Sequence, residues 1–120
     1  YIKINNNYCF SIWSKATGWK EIQNSMPKLD GHPTYIKSID KVVVDSYPNR
    51  LGIMTLYIGS LNQNDKLYKI ATIINSYQYK GPLRCDLHPR VSTKHNLIVC
   101  DTPLENGRKI LLIDGVIDEK

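Results

Sequence analysis

The chain has 120 residues, 42% hydrophobic and 22% charged, with 16 basic and 11 acidic side chains and a net charge of +5. Those figures describe one ordinary globular domain, not a disordered chain, and no apolar run approaches the roughly 20 residues of a membrane-crossing helix. The lysines are scattered (Lys3, Lys15, Lys20, Lys28, Lys37, Lys41) rather than blocked, and no RNA-recognition, zinc-finger or helix-turn-helix signature is apparent, so neither nucleic acid nor membrane is the expected partner.

Taken in chain order, the apolar residues follow the two-residue period of strands and not the helical period. Weak strand candidates stand at Tyr1–Ile4 and Trp19–Gln23, and stronger ones at 8–13 (YCFSIW), 33–37 (PTYIK) and 41–46 (KVVVDS). Further strands are predicted at 53–59 (IMTLYIG), 67–74 (LYKIATII), 89–93 (PRVST), 96–102 (NLIVCDT) and 108–114 (RKILLID). A loop is expected around Pro103, and Asn106-Gly107 is the strongest hairpin signal, because both residues tolerate positive φ. Three cysteines, Cys9, Cys85 and Cys100, form no CxxC pair. That argues against a disulfide framework, makes Cys100 a small core residue, and favours a reducing compartment; the expected location is cytoplasmic, with the periplasm as the alternative.

Part of the chain is written twice. In DGHPTYIKSIDKVVVDS (30–46) and CDLHPRVSTKHNLIVCDT (85–102) a His-Pro pair precedes a short strand, a polar turn and an apolar run ending in Asp-Ser or Asp-Thr. His32 and His88 lie 56 residues apart, and each stands thirteen positions before its aspartate, Asp45 or Asp101. A unit of about 40–50 residues with four short strands has the dimensions of a β-propeller blade. The expected fold is therefore all-β: antiparallel four-stranded blades of an incomplete β-propeller, about two and a half of them. Residues 1–27 end a preceding blade, 28–81 form a full blade, 82–114 form a last blade lacking its outer strand, and 115–120 are a charged tail.

The order His-Pro, short strand, polar hairpin, I-V-x-D-[ST], loop, N-G-R-K-I-x-L-I-D resembles the TolB-like propeller repeat. More narrowly, DGHPTY followed by CDLHPRVS, LIVCDT and NGRKILLID is similar to the last blades of the oligogalacturonate lyase type of propeller and to propeller proteins found with bacterial polysaccharide genes. The resemblance covers residues 28–114. The repeat's usual W/F-S-P-D-G hairpin is degenerate in both units; its Gly is lost, while Asp40 and Asn96 keep turn residues there. With no initiator Met and fewer blades than a ring needs, the chain is expected to be a piece of a longer propeller or to complete itself by self-association through open blade edges.

In a propeller, His32 and His88 sit side by side at the channel mouth. The resemblance implies a manganese ion or similar divalent metal held by His32 and His88. Asp86, on the same loop as His88, is a further candidate ligand, and Arg84 or Arg90, flanking the second His-Pro, is a candidate to hold a uronate carboxylate. Structural roles stand beside these. The His-Pro pairs can simply end the connection between blades, Asp45 and Asp101 can cap loop amides, and Arg84 or Arg90 can pair with Asp86. Trp13 and Trp19 are candidates for sugar stacking or packing between blades, as are Tyr77 and Tyr79 flanking Gln78; His95 is an exposed turn residue. The expected function is a carbohydrate- or protein-binding scaffold without catalysis of its own. The alternative is a polysaccharide lyase-like enzyme, performing metal-assisted β-elimination on uronate-containing glycans once missing blades complete it.

Overall fold

The computed structural model of the chain describes residues 2–4, 7–22, 30–60, 66–75, 78–104 and 107–117. Its strands are β1 (Ile2–Ile4), β2 (Asn7–Ser14), β3 (Gly18–Ile22), β4 (Pro33–Ile36), β5 (Lys41–Asp45), β6 (Ile53–Ser60), β7 (Tyr68–Ile74), β8 (Arg90–Ser92), β9 (Leu97–Leu104) and β10 (Gly107–Asp114). Single 3₁₀ turns stand at Gly81–Leu83 and Thr93–His95, and the described residues contain no α-helix. No helix among them is long and apolar enough to cross a membrane. The protein is all-β, in three antiparallel sheets ordered β1-β2-β3, β4-β5-β6-β7 and β10-β9-β8.

Each sheet follows chain order, with sequential strands as antiparallel neighbours. Asp40 and Asn96, repeat equivalents, both take left-handed backbone with φ of 49°, a conformation that Asp and Asn tolerate through local hydrogen bonding. The turn residues 105–106, half of the Asn106-Gly107 signal, lie outside the described residues, but Leu104 pairs with Gly107 across them.

The repeat is visible in space. β4 and β8 lie beside each other, and Thr34 Oγ1 donates to the Pro89 carbonyl across the gap. Behind them one core joins the second and third sheets: Ile36, Val43, Met54, Leu56 and Ile58 pack with Leu87, Ile98, Cys100 and Ile117. Period-two alternation puts Ile98 and Cys100 on the face of β9 that looks at the second sheet.

Three expectations need correction. Pro103 does not open a loop; β9 runs through it to Leu104. The reason is that β8 ends its pairing at Val99, so Pro103 faces only β10, and a strand edge tolerates a missing N–H. The stretch after Asp114 is not simply a tail. Ile117 is buried in the core, and its N–H donates to Asn96 Oδ1 at 2.9 Å. Finally, the two His-Pro pairs differ: His88 has φ +42° whereas His32 does not have positive φ. A proline normally keeps the preceding residue extended, so His88 holds a strained backbone.

The outer face of the third sheet departs from its equivalent in the second. Met54 and Leu56 are fully buried, while Ile110 and Leu112, 56 residues on, are 67% and 60% exposed. The same truncation should therefore give different costs. Leu56→Ala should lose about 2–5 kcal/mol in denaturant unfolding of the dilute, monomeric chain, as buried leucines do, whereas Leu112→Ala should lose under about 1 kcal/mol there. Equal losses would contradict the open face.

Candidate functional site

Asp45 closes β5 and is completely buried, at the seam between the second and third sheets. Its Oδ1 accepts the His32 amide N–H, and its Oδ2 accepts the His88 amide N–H at 3.1 Å. His32 Nδ1 lies 3.2 Å from both carboxylate oxygens. A buried carboxylate is costly unless its lone pairs find donors; here one amide comes from each repeat unit. Gly31 makes the approach possible, since a Cβ there would overlap the Asp45 carbonyl oxygen. The Tyr47 N–H donates to the Asp30 carbonyl at 3.1 Å, binding the 30–32 segment over the end of β5.

Above this carboxylate the two imidazoles meet, with ring centroids 4.0 Å apart and planes tilted by 40°. Asp86 joins them: His32, Asp86 and His88 each offer a ligand atom, all within 4.8 Å of one another. Neighbouring ligands on a tetrahedral ion with bonds of about 2.1 Å stand about 3.4 Å apart, so side-chain rotation must draw the three together to share one centre. A proton on His32 Nδ1, shared with Asp45, leaves Nε2 as a lone-pair donor. This is how a carboxylate behind a histidine prepares it for a metal. His88 has a looser version of the arrangement, with Asp101 Oδ2 4.0 Å from its Nδ1.

Asp86 is split in its bonding. Oδ2 takes both Nε and an Nη of Arg84, at 3.0 and 2.8 Å. Oδ1 is buried and has no hydrogen-bond partner, a condition that costs on the order of 1–3 kcal/mol. The hydrogen bond to Asp86 raises the Arg84 pKa further above its ordinary value. Arg84 also lies over the Tyr47 ring, 4.3 Å from its centre, and Tyr47 in turn meets the edge of His32, with centroids 5.3 Å apart. Arg108 of β10 donates to the Leu83 and Arg84 carbonyls and anchors the segment.

The structure thus brings His32, His88, Asp86 and Arg84 into one site. Arg90 is set apart from Asp86 and bonds Asp101 Oδ1 at 3.1 Å on the exposed side. Asp45 does more than cap a loop: sequence reasoning missed that it spans both units. Its position thirteen residues after a His in each unit was the available signal. Ser46 does act locally, accepting the Thr55 N–H at 3.0 Å. Trp13 and Trp19 pair in register across β2 and β3 and are 59% and 67% exposed in the single chain. His95 and Gln78 are exposed, and Tyr77 lies outside the described residues. Compared with known proteins, the chain matches no family model, no curated protein and no solved structure.

Two outcomes are expected. Asp45→Ala strands two amide donors at the seam and should cost about 3–5 kcal/mol in urea unfolding; Asp101→Ala, at the exposed equivalent, should cost under about 1 kcal/mol. The second concerns the core thiols. Burial pushes Cys100 up to about 12, with Asp45 and Asp101 adding to it, and raises Cys85 in the same direction. An unfolded thiol ionises near about 8.5, so the neutral core thiols favour folding below that pH, and stability falls as pH rises towards 12. At pH ~8, iodoacetamide should modify Cys85 and Cys100 only after denaturant is added, read by site-resolved mass spectrometry. Rapid native labelling of Cys100 would contradict its burial.

Proposed function

We propose that the chain is part of a β-propeller that serves as a carbohydrate- or protein-binding scaffold, with a divalent metal centre where two blades meet. In this reading the second sheet is a full blade and the third is the next blade, short of its outer strand. Its support is the repeat, the adjacency of β4 and β8, and the shared core.

One observation carries the metal centre: two imidazoles and a carboxylate oxygen of Asp86 lie within 4.8 Å of one another, in a carboxylate whose Oδ1 has no hydrogen-bond partner. A cation supplies the positive partner that this oxygen lacks, and its other oxygen is already satisfied by Arg84. Two nitrogens and one oxygen suit manganese, zinc, nickel or iron, and three protein ligands leave coordination positions open for water or a ligand oxygen. Such a metal attracts anionic or hydroxyl oxygens to the seam. Arg84 holds Asp86 in place, so a role in gripping a uronate carboxylate would require it to serve both. Arg90 is similarly engaged by Asp101. This division of labour favours binding over the lyase-like alternative, which also needs a base to remove the α-proton.

Titration of the chelator-treated protein with manganese, zinc or nickel, followed by calorimetry, tests the centre. One equivalent should bind, and His32→Ala or His88→Ala should weaken it at least about 100-fold, with Asp45→Asn weakening it about 10–100-fold through His32 orientation. Absence of stoichiometric metal, or indifference to both histidine changes, would sink the reading.

The exposed Ile110 and Leu112 favour a further element of this proposal. Their buried equivalents are covered by the next repeat unit, so another unit, brought by a second copy of the chain, covers them. The mass in solution should rise with concentration in light scattering, and Leu112→Lys should abolish the rise; a stable monomer at every concentration would contradict self-association.

A further inference from the structure

The segment that crosses the end of β5 holds one of the two Asp-Gly pairs in the chain, Asp30-Gly31; the other is Asp114-Gly115. In such a pair no Cβ shields the glycine nitrogen, so it is open to reaction with the aspartate side chain before it. The fold treats the two pairs differently. The Gly31 N–H donates to its neighbour's side chain, Asp30 Oδ1, at 3.0 Å. The Gly115 N–H donates instead to the Asn96 carbonyl at 3.1 Å. Both aspartates are exposed, so access of water does not separate them.

The peptide between Asp30 and Gly31 is gripped from both sides. The Asp30 carbonyl accepts the Tyr47 N–H at 3.1 Å, and the next amide, that of His32, donates to Asp45 Oδ1. Glycine is compulsory at 31, since a Cβ would stand 1.8 Å from the Asp45 carbonyl oxygen. The contact that demands a glycine therefore also leaves an unshielded nitrogen beside a carboxyl group. Two reacting groups held at contact distance join faster than two that must find each other.

We propose that Asp30-Gly31 is a self-modification site, where the native chain converts to an isoaspartyl linkage. The Gly31 nitrogen bonds to Asp30 Cγ, and its proton leaves with the carboxyl hydroxyl as water, giving a cyclic imide. Water then adds at the main-chain carbonyl of Asp30 and breaks its bond to the Gly31 nitrogen. Gly31 is left attached through the Asp30 side chain. No oxidant or metal takes part, so the reaction is independent of the metal centre. The new linkage adds a methylene to the main chain where Gly31 already lies against Asp45. Gly31 and His32 shift, and the His32 N–H leaves Asp45 Oδ1. The His88 N–H reaches Oδ2 from the other unit and stays. Conversion thus undoes one half of the clasp on Asp45.

The test is ageing of the full chain at neutral pH and physiological temperature, folded and in urea. Isoaspartate at each position is read by peptide mapping with electron-transfer fragmentation. In the folded chain Asp30 should convert at least about fivefold faster than Asp114; in urea the two should convert at similar rates. Asp30→Glu, whose longer side chain closes a ring poorly, should abolish conversion at 30 and leave the unfolding midpoint unchanged. In the converted fraction, separated by ion exchange, hydrogen exchange of the His32 amide should rise about tenfold, as loss of one hydrogen bond allows, while the His88 amide stays protected. Equal rates at Asp30 and Asp114 in the folded chain would overturn the proposal. So would the same ratio in urea, which makes local sequence and not the fold the cause. An unchanged His32 amide in the converted chain would overturn the release from Asp45.

Discussion

The buried carboxylate of Asp45 is the constraint on which the rest of the site depends. Apolar packing between the second and third sheets is non-directional; it brings Val43, Leu56 and Ile98 together but does not set which residue of one unit meets which of the other. Asp45 supplies the register. An amide from each unit converges on it, so the entrances to β4 and β8 stand side by side, and their histidines with them. A carboxylate in this position is a poor source of net stability compared with an apolar pair, but a strong penalty on any other arrangement.

Several local oddities then have one cause. Gly31 has no side chain because the chain must pass against the end of β5. His88 adopts φ +42° before a proline, a strain that persists when surrounding contacts over-determine it; the hydrogen bond its backbone N–H donates to Asp45 Oδ2 is such a contact. Asp86 keeps one oxygen unpaired, because Arg84, pinned by Arg108 and Tyr47, occupies only the other. Backbone strain, a buried carboxyl and an unmet acceptor gather at one seam, the combination on which the proposed site rests.

Much of the fold was legible because strands announce themselves by alternation and turns by residue type. The weak Trp19–Gln23 candidate emerged as β3, and the turns at Asp40 and Asn96 were readable without glycine. The pairing of His32 with His88 was legible for a different reason: repetition converts a sequence offset into spatial adjacency. What could not be read depended on partners distant in the chain. Asp45 reaches an amide 43 residues away, and nothing local separates that role from a loop cap. Pro103 reads as a loop unless the length of the neighbouring β8 is known. Ile117 reads as tail because its hydrogen bond goes back to Asn96.

The central claim is that Asp45 holds His32 with its proton on Nδ1 and its Nε2 lone pair directed to the seam. Long-range ¹H–¹⁵N spectra of the imidazoles, followed over a pH series, measure this directly. The account predicts the Nδ1–H tautomer for His32 in the native chain and a shift towards a tautomer mixture in Asp45→Asn. A native His32 protonated on Nε2 would contradict it.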